Sequence, residues 1–505
     1  MYYKDDQYYD GSRFFLWITE YSGIPIDQVN FVITELVALS LAPLFRSLFH
    51  PSKSQPEVRH AFGLLVGVCI GYFAFGRQSF HLAGLPAACY LVIRTQSPHN
   101  LQRTVLAVAM VYLSCIHVHR QVYDYGSLTL DITGPLMVVT QKVSSLAYSI
   151  HDGLTCDEEK LTKNQKYYAI KKIPSILEYF SYVFQFQVLM AGPTVFYKDY
   201  LEFINGQNFL KHAQSTDVQL DRNSNSRKLV LEPSPRPEVV KKILCSIVCA
   251  AFFATFLSSF PVQRVKDEDF LEGRTALYQL GFLSIATVLI RFKYYHAWLF
   301  SDAVCNLSGL GFHGYNVDGT ARWDLVTNVD ILKFEFGLSL RESIQHWNKC
   351  TNTWLRLIVF ERHNKYGTIL TYTLSAFWHG FYPGYYLTFA SGALFTFASR
   401  AIRRALRPLF LGTQAMKAFY DLITMLTTRV VMTYITFSFV VLEFWPSIRL
   451  FTHLYFAPHI MAAAAIIFLP KLCPAPSNKH THMHSPLVNK ISEFTSNQVT
   501  SGVHG

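Results

Sequence analysis

The chain has 505 residues, of which 50% are hydrophobic and only 16% are charged, whereas soluble globular proteins carry about 25% charged residues. So little charge excludes intrinsic disorder, a collagen-like chain and an ordinary soluble enzyme. The net charge of +11 is spread over loops and helix ends, so it favours anionic lipids or an anionic co-substrate over nucleic acid. We therefore expect a protein that crosses a membrane several times.

The apolar stretches follow a polar, tyrosine-rich segment, 1–22, which lacks the apolar core of a signal peptide. They lie at about 30–49, 61–76, 78–93, 104–118, 129–150, 174–197, 243–260, 276–300, 366–382, 384–399, 427–445 and 451–470. Several are shorter than the roughly 20 residues that a bilayer span needs, so some must be tilted, merged or re-entrant. We predict an all-α, polytopic membrane helical bundle with about eleven transmembrane helices.

Polar residues interrupt these apolar stretches, namely Glu35, His81, Pro86, Gln141, Lys142, Glu178, Gln185 and Gln187. Polar groups at membrane depth are tolerated mainly when they face the interior of a bundle or a wet cavity. The pattern predicts a wide, partly hydrated interior. For each residue taken alone, a helix–helix hydrogen bond is the simpler interpretation.

Two long segments separate the apolar stretches. The segment 202–242 is rich in proline and basic residues, which is typical of an exposed cytoplasmic loop. The segment 302–365 is long and rich in glycine, asparagine, tryptophan and charge. Long loops of this kind are usually functional or disordered, and the aromatic content argues against disorder. We expect the segment 302–365 to be functional.

The nine cysteines are too sparse for a disulfide framework, and no Cys-x-x-Cys pair occurs. Five lie inside apolar stretches, where a thiol usually behaves as a small apolar group: Cys69, Cys89, Cys115, Cys245 and Cys249. Near the C-terminal end, His480, His482 and His484 alternate in a polar tail. Three such histidines are weak evidence for a metal site, so we predict no bound metal.

Two short patterns fit known motifs only loosely. The residues Gly309–Gly314 match Gly-x-Gly-x-x-Gly, but a dinucleotide site needs a strand before the glycines and a helix after them. Here a membrane segment precedes them, so we interpret them as tight backbone turns. His119 and Asp124 have the spacing of a base and its orienting carboxylate, but the default interpretation is a structural turn.

The most informative residue is His379, a single imidazole inside the apolar and aromatic run 374–389. An ionisable group in such a run is a candidate functional site, although a buried structural histidine is as good an interpretation when it is taken alone. Upstream, Asn348 lies between the aromatic residues Trp347 and Trp354 in a stretch of helical character. The two segments together favour a reaction centre.

These two segments resemble the signature of the membrane-bound O-acyltransferase family, with the pair Trp347–Asn348 and the run Trp-His-Gly-x-x-Pro-Gly-Tyr-Tyr at 378–386. The resemblance runs from about 23 to 470 and is specific as a combination. Within the family the chain resembles the lysophospholipid acyltransferase branch. Further familiar stretches are Asp27–Phe31, Asp124–Gly126, Gly134–Met137, Thr140–Lys142, His151–Gly153, Ala191–Pro193, Tyr197–Tyr200, Lys293–Trp298, Asp302–Val304 and Gly309–Gly314.

The resemblance implies that His379 and Asn348 are the catalytic pair and face a central chamber, in an endoplasmic reticulum membrane protein. It implies a long-chain acyl-CoA donor, a lysophospholipid acceptor and no permanently bound cofactor. It also implies three parts: a polar segment 1–22, an acyltransferase domain 23–470 and a polar, disordered tail 471–505. Gln345–His346 replace the acidic and aromatic residues of the neutral-lipid branch, which disfavours a diacylglycerol or sterol acceptor.

Acyl transfer from a thioester to a hydroxyl needs a base for the alcohol proton and donors for the developing oxyanion. We interpret His379 as the general base, while the amide of Asn348 either orients the imidazole or contacts the thioester carbonyl. No serine or cysteine lies beside His379 in a nucleophile-elbow pattern, so direct transfer is favoured over an acyl-enzyme. We expect Trp347, Trp378 and Tyr385 to form chamber walls.

The phosphates of acyl-CoA need cations at the cytosolic mouth of the chamber. Basic residues that could supply them are Arg356, Arg362, Lys365, Arg400, Arg403 and Arg404. For each of them the simpler interpretation is the positive charge that cytoplasmic loops carry in general. No specific contact with the donor is predicted.

Two other functions remain open from the sequence. One keeps the family and changes the acceptor to a protein hydroxyl. The other is a non-enzymatic transporter, which is less favoured because no inverted repeat is visible. Similarity points to lysophospholipids with ethanolamine or serine head groups, with choline also possible. The oligomeric state is left open.

Overall fold

The structure is a computed structural model that describes residues 8–127, 129–212, 232–363 and 365–472. Within these ranges it is helical, and its one β-feature is an isolated bridge between Tyr315 and Ala321. The predicted all-α class is therefore confirmed. The predicted tail, 471–505, lies outside the described residues from 473 onward, together with its three histidines.

The described α-helices, numbered in chain order, are α1 (Leu16–Ser22), α2 (Ile26–Leu48), α3 (Pro56–Phe75), α4 (Phe80–Thr95), α5 (Leu101–Tyr123), α6 (Thr133–Thr155), α7 (Lys163–Tyr168), α8 (Ile176–Val183), α9 (Tyr197–Ile204), α10 (Gln207–Leu210), α11 (Arg236–Phe256), α12 (Glu268–Glu272), α13 (Ala276–Ser308), α14 (Ile331–Glu335), α15 (Leu340–His346), α16 (Lys349–Ile358), α17 (Gly367–His379), α18 (Pro383–Leu406), α19 (Gln414–Val441), α20 (Phe444–His453) and α21 (Ala457–Leu472). Short 3-10 helices lie at Gly76–Ser79, Glu158–Lys160, Leu257–Ser259, Val262–Lys266, Phe360–Arg362 and Arg407–Phe410.

Six helical segments of the described chain are long and apolar enough to cross a bilayer, and seven if the bent pair α20 and α21 is one broken span. The six are Ile26–Leu48, Pro56–Thr95, Leu101–Tyr123, Arg236–Lys266, Ala276–Ser308 and Gln414–Val441. The count of about eleven is not confirmed.

Three local features explain why fewer long spans are found. The stretches 61–76 and 78–93 merge through a 3-10 turn into one segment of 40 residues. The stretch 174–197 forms only the short helix α8 and then runs without regular helix to residue 196. The stretch 451–470 breaks between α20 and α21, which are bent by 74°. Apolar composition alone does not show these breaks and mergers.

Helix α6 lies in the interior of the described chain, since sixteen of its 23 residues are buried. Its polar residues are paired with neighbouring elements: Gln141 Nε2 donates to Thr351 Oγ1 at 2.9 Å, and Lys142 Nζ donates to the Tyr182 carbonyl at 2.9 Å. Such bonds offset the cost of removing polar groups from water. The expectation that these residues face a bundle interior is confirmed.

Of the other interrupting residues, His81 of α4 makes a helix–helix contact, since its Nδ1 lies 2.8 Å from the hydroxyl of Tyr112 in α5, and Pro86 is buried. Glu35, Gln185 and Gln187 are buried, as expected for polar groups turned inward. Glu178 instead forms a capping box with Ser175 at the start of α8, which is a local structural role. Because this contact lies within one helix, it is not the helix–helix hydrogen bond that the simpler interpretation predicted for Glu178.

Two large apolar cores form the body of the described chain. One includes Trp354 of α16 and Trp378 of α17, packed with residues from α2 to α9. The other combines α11, α13 and α18 to α21, and Trp347 packs against its edge. The segment from Trp347 to Trp378 therefore connects the two cores; Asn348 lies in it, and His379 directly follows it.

Candidate active site

His379 is the last residue of α17, and its ring orientation is fixed by the helix itself. Its Nδ1 lies 2.7 Å from the carbonyl oxygen of Ser375, one turn earlier. Because a carbonyl oxygen can only accept, Nδ1 carries the proton and Nε2 is left as the acceptor. The backbone thus selects the tautomer that a general base needs.

Aromatic rings surround the His379 imidazole on several sides. The ring centroids of Trp378, Phe389, Phe439 and Tyr385 lie 4.5, 4.9, 5.2 and 5.8 Å from it. The residue itself remains partly accessible. An imidazole with one free nitrogen, aromatic walls and an open side can accept a proton from a bound alcohol.

His117 of α5 holds the end of α17 in place, a contact that the sequence analysis missed. Its Nε2 donates to the Trp378 carbonyl at 3.0 Å, and the residue is buried. It also lies against Gly380, where an added Cβ would be 3.0 Å from its Nδ1. Gly380 has φ +114°, which favours glycine, so the chain turns away directly after His379.

Asn348 begins α16 in the left-handed backbone region, with φ 45° and ψ 55°. Asparagine tolerates this conformation better than most residues. Asn328 fixes the turn, because its carbonyl accepts from Lys349 N at 2.8 Å and its Oδ1 accepts from Cys350 N at 3.0 Å. Asn352 Nδ2 donates to the Trp347 carbonyl at 2.7 Å. The backbone at Asn348 is therefore well determined.

The Asn348 side chain is partly accessible, and no hydrogen-bond partner lies within reach of its amide in the described part of the chain. Its neighbour Trp347 is enclosed by rings of Tyr294, Tyr295, Trp298 and Phe334, with centroids 5.0 to 5.9 Å away. The amide thus follows a well-packed tryptophan and has no protein partner among the described residues.

Helix α6 supports both helices that carry the predicted pair. Trp354 of α16 donates to Ser144 Oγ at 2.9 Å, and Trp378 of α17 donates to the Met137 carbonyl at 3.0 Å. The two indole rings also contact each other, with centroids 5.7 Å apart. The consecutive helices α16 and α17 are therefore both held on one buried helix that lies more than 200 positions earlier in the chain.

His379 and Asn348 share no hydrogen bond in the residues that the structure describes. A row of rings joins their surroundings instead. Tyr294 packs against Trp347 at 5.9 Å and lies in electrostatic range of Tyr385, whose ring is 5.8 Å from His379. Trp378 and Tyr385 contact the His379 ring, and Trp347 adjoins Asn348 in the chain; that they line a chamber stays a prediction.

The alternative pair, His119 and Asp124, is divided between two different contacts. The Tyr8 hydroxyl lies 2.9 Å from His119 Nδ1, while Asp124 lies 3.8 Å from Arg120 Nε. This arrangement favours the structural turn. After Gly309 the chain leads into the bridge at Tyr315, with no strand before the glycines and no helix directly after them in this region, so the dinucleotide pattern is not a nucleotide fold.

Some of the basic candidates already have acidic partners. Arg362 forms a two-point ion pair with Asp152, at 2.9 and 2.7 Å, and Arg356 lies 3.2 Å from Glu361. His151, Asp152 and Cys156 lie close enough together to form a metal ligand set. Asp152 is neutralised by Arg362 and the His151 Nδ1 donates to the Pro98 carbonyl, so the group is better explained as a structural cluster.

A cavity of about 290 Å³ with several lysines lies between α9 and the chain before α8. Its lining includes Lys171, Lys172 and Lys198 as cations, with Glu178 and Glu202 as anions. Beside it, burial raises the pKa of Asp199 to about 6, although Tyr167 donates to its carboxylate at 2.8 Å. The cavity therefore has a net positive lining.

The family model described as MBOAT, membrane-bound O-acyltransferase family, matches residues 120–437, which include Asn348 and His379. A Drosophila melanogaster protein named lysophospholipid acyltransferase 6 is 53% identical over 464 residues. The matched region covers 92% of this chain and 64% of that relative. The mouse protein named membrane-bound glycerophospholipid O-acyltransferase 1 is 40% identical, covering 90% of this chain and 92% of that one.

A Schizosaccharomyces pombe protein named lysophospholipid acyltransferase is 31% identical, covering 90% of this chain and 88% of its own. These relatives match nearly the whole chain, and the family model matches more than half of it. Together with the candidate spans, they identify a multi-pass membrane protein. The chain belongs to the membrane-bound O-acyltransferase family and is an O-acyltransferase enzyme.

Proposed function

We propose that the protein is a lysophospholipid acyltransferase that moves a long-chain acyl group from acyl-CoA to the free hydroxyl of a lysophospholipid. The names of its relatives support this acceptor class. The observation that carries the chemistry is the Ser375 carbonyl, which holds the proton on Nδ1 of His379 and leaves Nε2 as a base. A transporter is disfavoured by membership of an enzyme family.

In the proposed reaction, His379 Nε2 takes the proton of the lysophospholipid hydroxyl as its oxygen attacks the thioester carbon. The C–S bond then breaks, and the proton on Nε2 passes to the CoA sulfur. The products are a diacyl phospholipid and free CoA, and no bound cofactor or acyl-enzyme is required. In this proposal the aromatic rings around His379 restrict the access of water, which would otherwise compete with the alcohol.

Asn348 has the role of oxyanion donor in this proposal. The Nδ1 of His379 already bonds to Ser375, so the imidazole needs no second group to select its tautomer. The Asn348 amide is partly accessible and lies on a rigid turn. A donor of this kind that is aimed at the developing oxyanion is worth about 10²–10³-fold in kcat.

We also propose a central chamber and about eleven membrane helices. In this arrangement α6, α17 and α18 cross the membrane in addition to the candidate spans given above. Support comes from four buried side chains that each have a polar atom with no hydrogen-bond partner in the described ranges: Glu35, Gln185, Asp302 and Asn306. Buried polar atoms are normally satisfied by protein, water or ligand, so these four atoms favour a hydrated interior.

The donor's phosphates would be bound at a basic surface, and the cavity lined by Lys171, Lys172 and Lys198 has the required charge. Location in the endoplasmic reticulum membrane and a single acyltransferase domain over 23–470 complete the proposal. Both rest on the family and on relatives that match most of the chain.

The test is an acyl-transfer assay with purified protein in lipid nanodiscs and radiolabelled oleoyl-CoA. Lysophospholipids with ethanolamine, serine and choline head groups are compared with diacylglycerol and with a serine-containing peptide. We expect labelled phospholipid with at least one lysophospholipid and none with diacylglycerol. Labelled peptide without labelled phospholipid would instead identify a protein acyltransferase.

A further inference from the structure

Three charged residues form a network: Arg291 near the middle of α13, Arg429 near the middle of α19, and Glu335 at the end of α14. Arg291 of α13 donates from Nε and Nη2 to the two carboxylate oxygens of Glu335, at 2.8 and 2.9 Å. Arg429 of α19 lies 3.3 Å from Glu335 and also donates to Ser343 Oγ. Ionisable groups at membrane depth are costly and often mark functional sites.

The network contains one more positive charge than negative charges. The Glu335 carboxylate already accepts both donors of Arg291 and the hydroxyl of Tyr295, the latter at 2.6 Å. Arg429 is left with the longer contact to this carboxylate, and its Nε is buried without an acceptor among the residues described. A guanidinium in this state needs a further anion.

A cavity of about 290 Å³ lies beside Arg429, with a size near the lower end of small-molecule sites, roughly 300–1,000 Å³. Apart from Arg291, Glu335 and Arg429, its lining is neutral and mostly apolar: Ser284, Ile285, Val288, Leu289, Met432 and Thr433. The hydroxyls of Ser284 and Thr433 form a hydrogen bond with each other at 3.0 Å. The cavity thus combines one net positive charge with apolar walls, which suits an anionic head group attached to an apolar chain.

The charged network adjoins the rings that pack against Trp347, the residue before Asn348. Tyr295, which donates to Glu335, packs against Trp347 with ring centroids 5.9 Å apart, and Phe334 packs against Trp347 at 5.0 Å. In a glycerophospholipid the phosphate lies only a few bonds from the accepting hydroxyl. An acceptor that brings its hydroxyl to the reaction centre must therefore bring its phosphate to membrane depth, where it needs a cation.

We propose that this cavity binds the phosphate of a membrane glycerophospholipid on Arg429, with the start of an acyl chain along Val288 and Met432. The source of that phosphate is the lysophospholipid acceptor, and this assignment rests on the proposed function. A phospholipid of the surrounding bilayer has the same chemistry, so the experiment distinguishes the two sources. If the network were only structural, ligand binding would not depend on the shape of the cavity.

Two variants remove different parts of the site. Arg429→Gln removes the cation, and Val288→Phe fills the cavity while it leaves every charge in place. The controls are Arg449→Gln, in an exposed ion pair with Glu268, and Leu426→Phe on an exposed face of α19. If Arg429→Gln fails to fold, Val288→Phe decides the test.

Binding is measured in nanodiscs with an analogue of lysophosphatidylethanolamine that lacks the accepting hydroxyl, and with a monoacylglycerol that lacks the phosphate. Loss of a charge-assisted hydrogen bond corresponds to about a 10- to 100-fold weaker affinity. We expect this loss for the analogue in both site variants and in neither control. The monoacylglycerol should lose affinity only in Val288→Phe. Native mass spectrometry measures diacyl phospholipid retained by each variant.

Both site variants could retain less diacyl phospholipid and still bind the analogue normally. That result would show that the cavity binds a phosphate from a bilayer lipid and would overturn the assignment to the acceptor. Unchanged analogue affinity and unchanged lipid retention in both variants would overturn the proposal. The proposal would also be overturned if Arg429→Gln weakened binding of the analogue while a folded Val288→Phe bound it normally. Because the analogue cannot react, normal binding by a wild-type protein that does not acylate lysophospholipids would refute the proposed function alone.

Discussion

At the scale of single residues, the site depends on backbone groups as much as on side chains. A carbonyl of the preceding turn fixes the tautomer of His379, and a second histidine, His117, holds the carbonyl of Trp378. The nitrogen that we propose as the base is therefore oriented without a substrate. Such preorganisation lowers the cost of reaching the transition state.

Asn348 allows its backbone and its amide to be tested separately. Asn348→Gly removes the amide but accepts the left-handed backbone, whereas Asn348→Ala removes the amide and adds backbone strain. We expect both to lower kcat by about 10²–10³-fold, with lower thermal stability only in the alanine variant. Steady-state kinetics and thermal unfolding measure the two effects. Normal kcat in Asn348→Gly would show that the amide is not an oxyanion donor.

The sequence was sufficient to single out His379 and Asn348, because each is a polar group next to tryptophan in a distinctive run. It could not reveal their partners. The bond between His117 and Trp378 joins residues 261 positions apart, and the acceptor is a backbone carbonyl that every residue has. His117 does interrupt the apolar stretch 104–118, so the criterion that selected His379 would also have found it.

At the scale of elements, α6 holds together the two segments that carry the proposed catalytic pair. Arg362, in the 3-10 helix after α16, pairs with Asp152 near the end of α6. The Asp152 side chain is fully buried and that of Arg362 is 19% exposed. This ion pair therefore anchors the segment between α16 and α17 to the central helix.

Removal of one member of this pair should leave a buried charge without a partner. We expect Asp152→Ala to lower the free energy of unfolding by about 3–5 kcal/mol. The double variant Asp152→Ala with Arg362→Met should recover part of that loss, because no charge remains unpaired. Thermal unfolding in detergent measures both. Equal stability of wild type and Asp152→Ala would exclude an anchoring role.

Asp199 at the start of α9 gives a prediction for pH. Burial raises its pKa to about 6 despite the hydrogen bond from Tyr167. A raised carboxyl pKa means that its contribution to stability is complete below about pH 4 and is lost as the pH rises through about 6. Asp199→Asn keeps an acceptor for Tyr167 and has no charge to bury.

The Asp199→Asn variant should therefore be more stable than wild type at pH 8, by about 1–3 kcal/mol, and similar to it at pH 4. Thermal unfolding at the two pH values measures the difference. The exposed carboxylate variant Asp157→Asn is the control and should show no such gain at pH 8. A smaller stability of Asp199→Asn at pH 8 would contradict the raised pKa.

The apolar pattern predicted most long helices but not how they divide. The stretches 366–382 and 384–399 were expected as separate elements, and α17 and α18 follow them closely. The division is visible in the sequence because Gly380 and Pro383 mark it. Elsewhere such residues are poor guides: α3 and α4 form one segment although Gly76 lies between them, and α8 ends at Val183, well before Gly192–Pro193.

At the scale of the whole molecule, two apolar cores meet along the segment that carries the predicted pair. The composition predicted the membrane, and the scarcity of charge explains why a few inward polar groups are informative. The number of membrane helices did not follow from composition, because interior helices such as α6 combine polar residues with complete burial.

His379 is the proposed base of the acyl transfer. The most direct measurement is the single-turnover rate of oleoyl transfer to a lysophospholipid by purified His379→Ala, beside wild type and Ser375→Ala. We predict a loss of about 10²–10⁴-fold in His379→Ala with intact folding. Ser375→Ala should keep near-normal activity, because its backbone carbonyl is the group that contacts the imidazole. A wild-type rate in folded His379→Ala would contradict the mechanism.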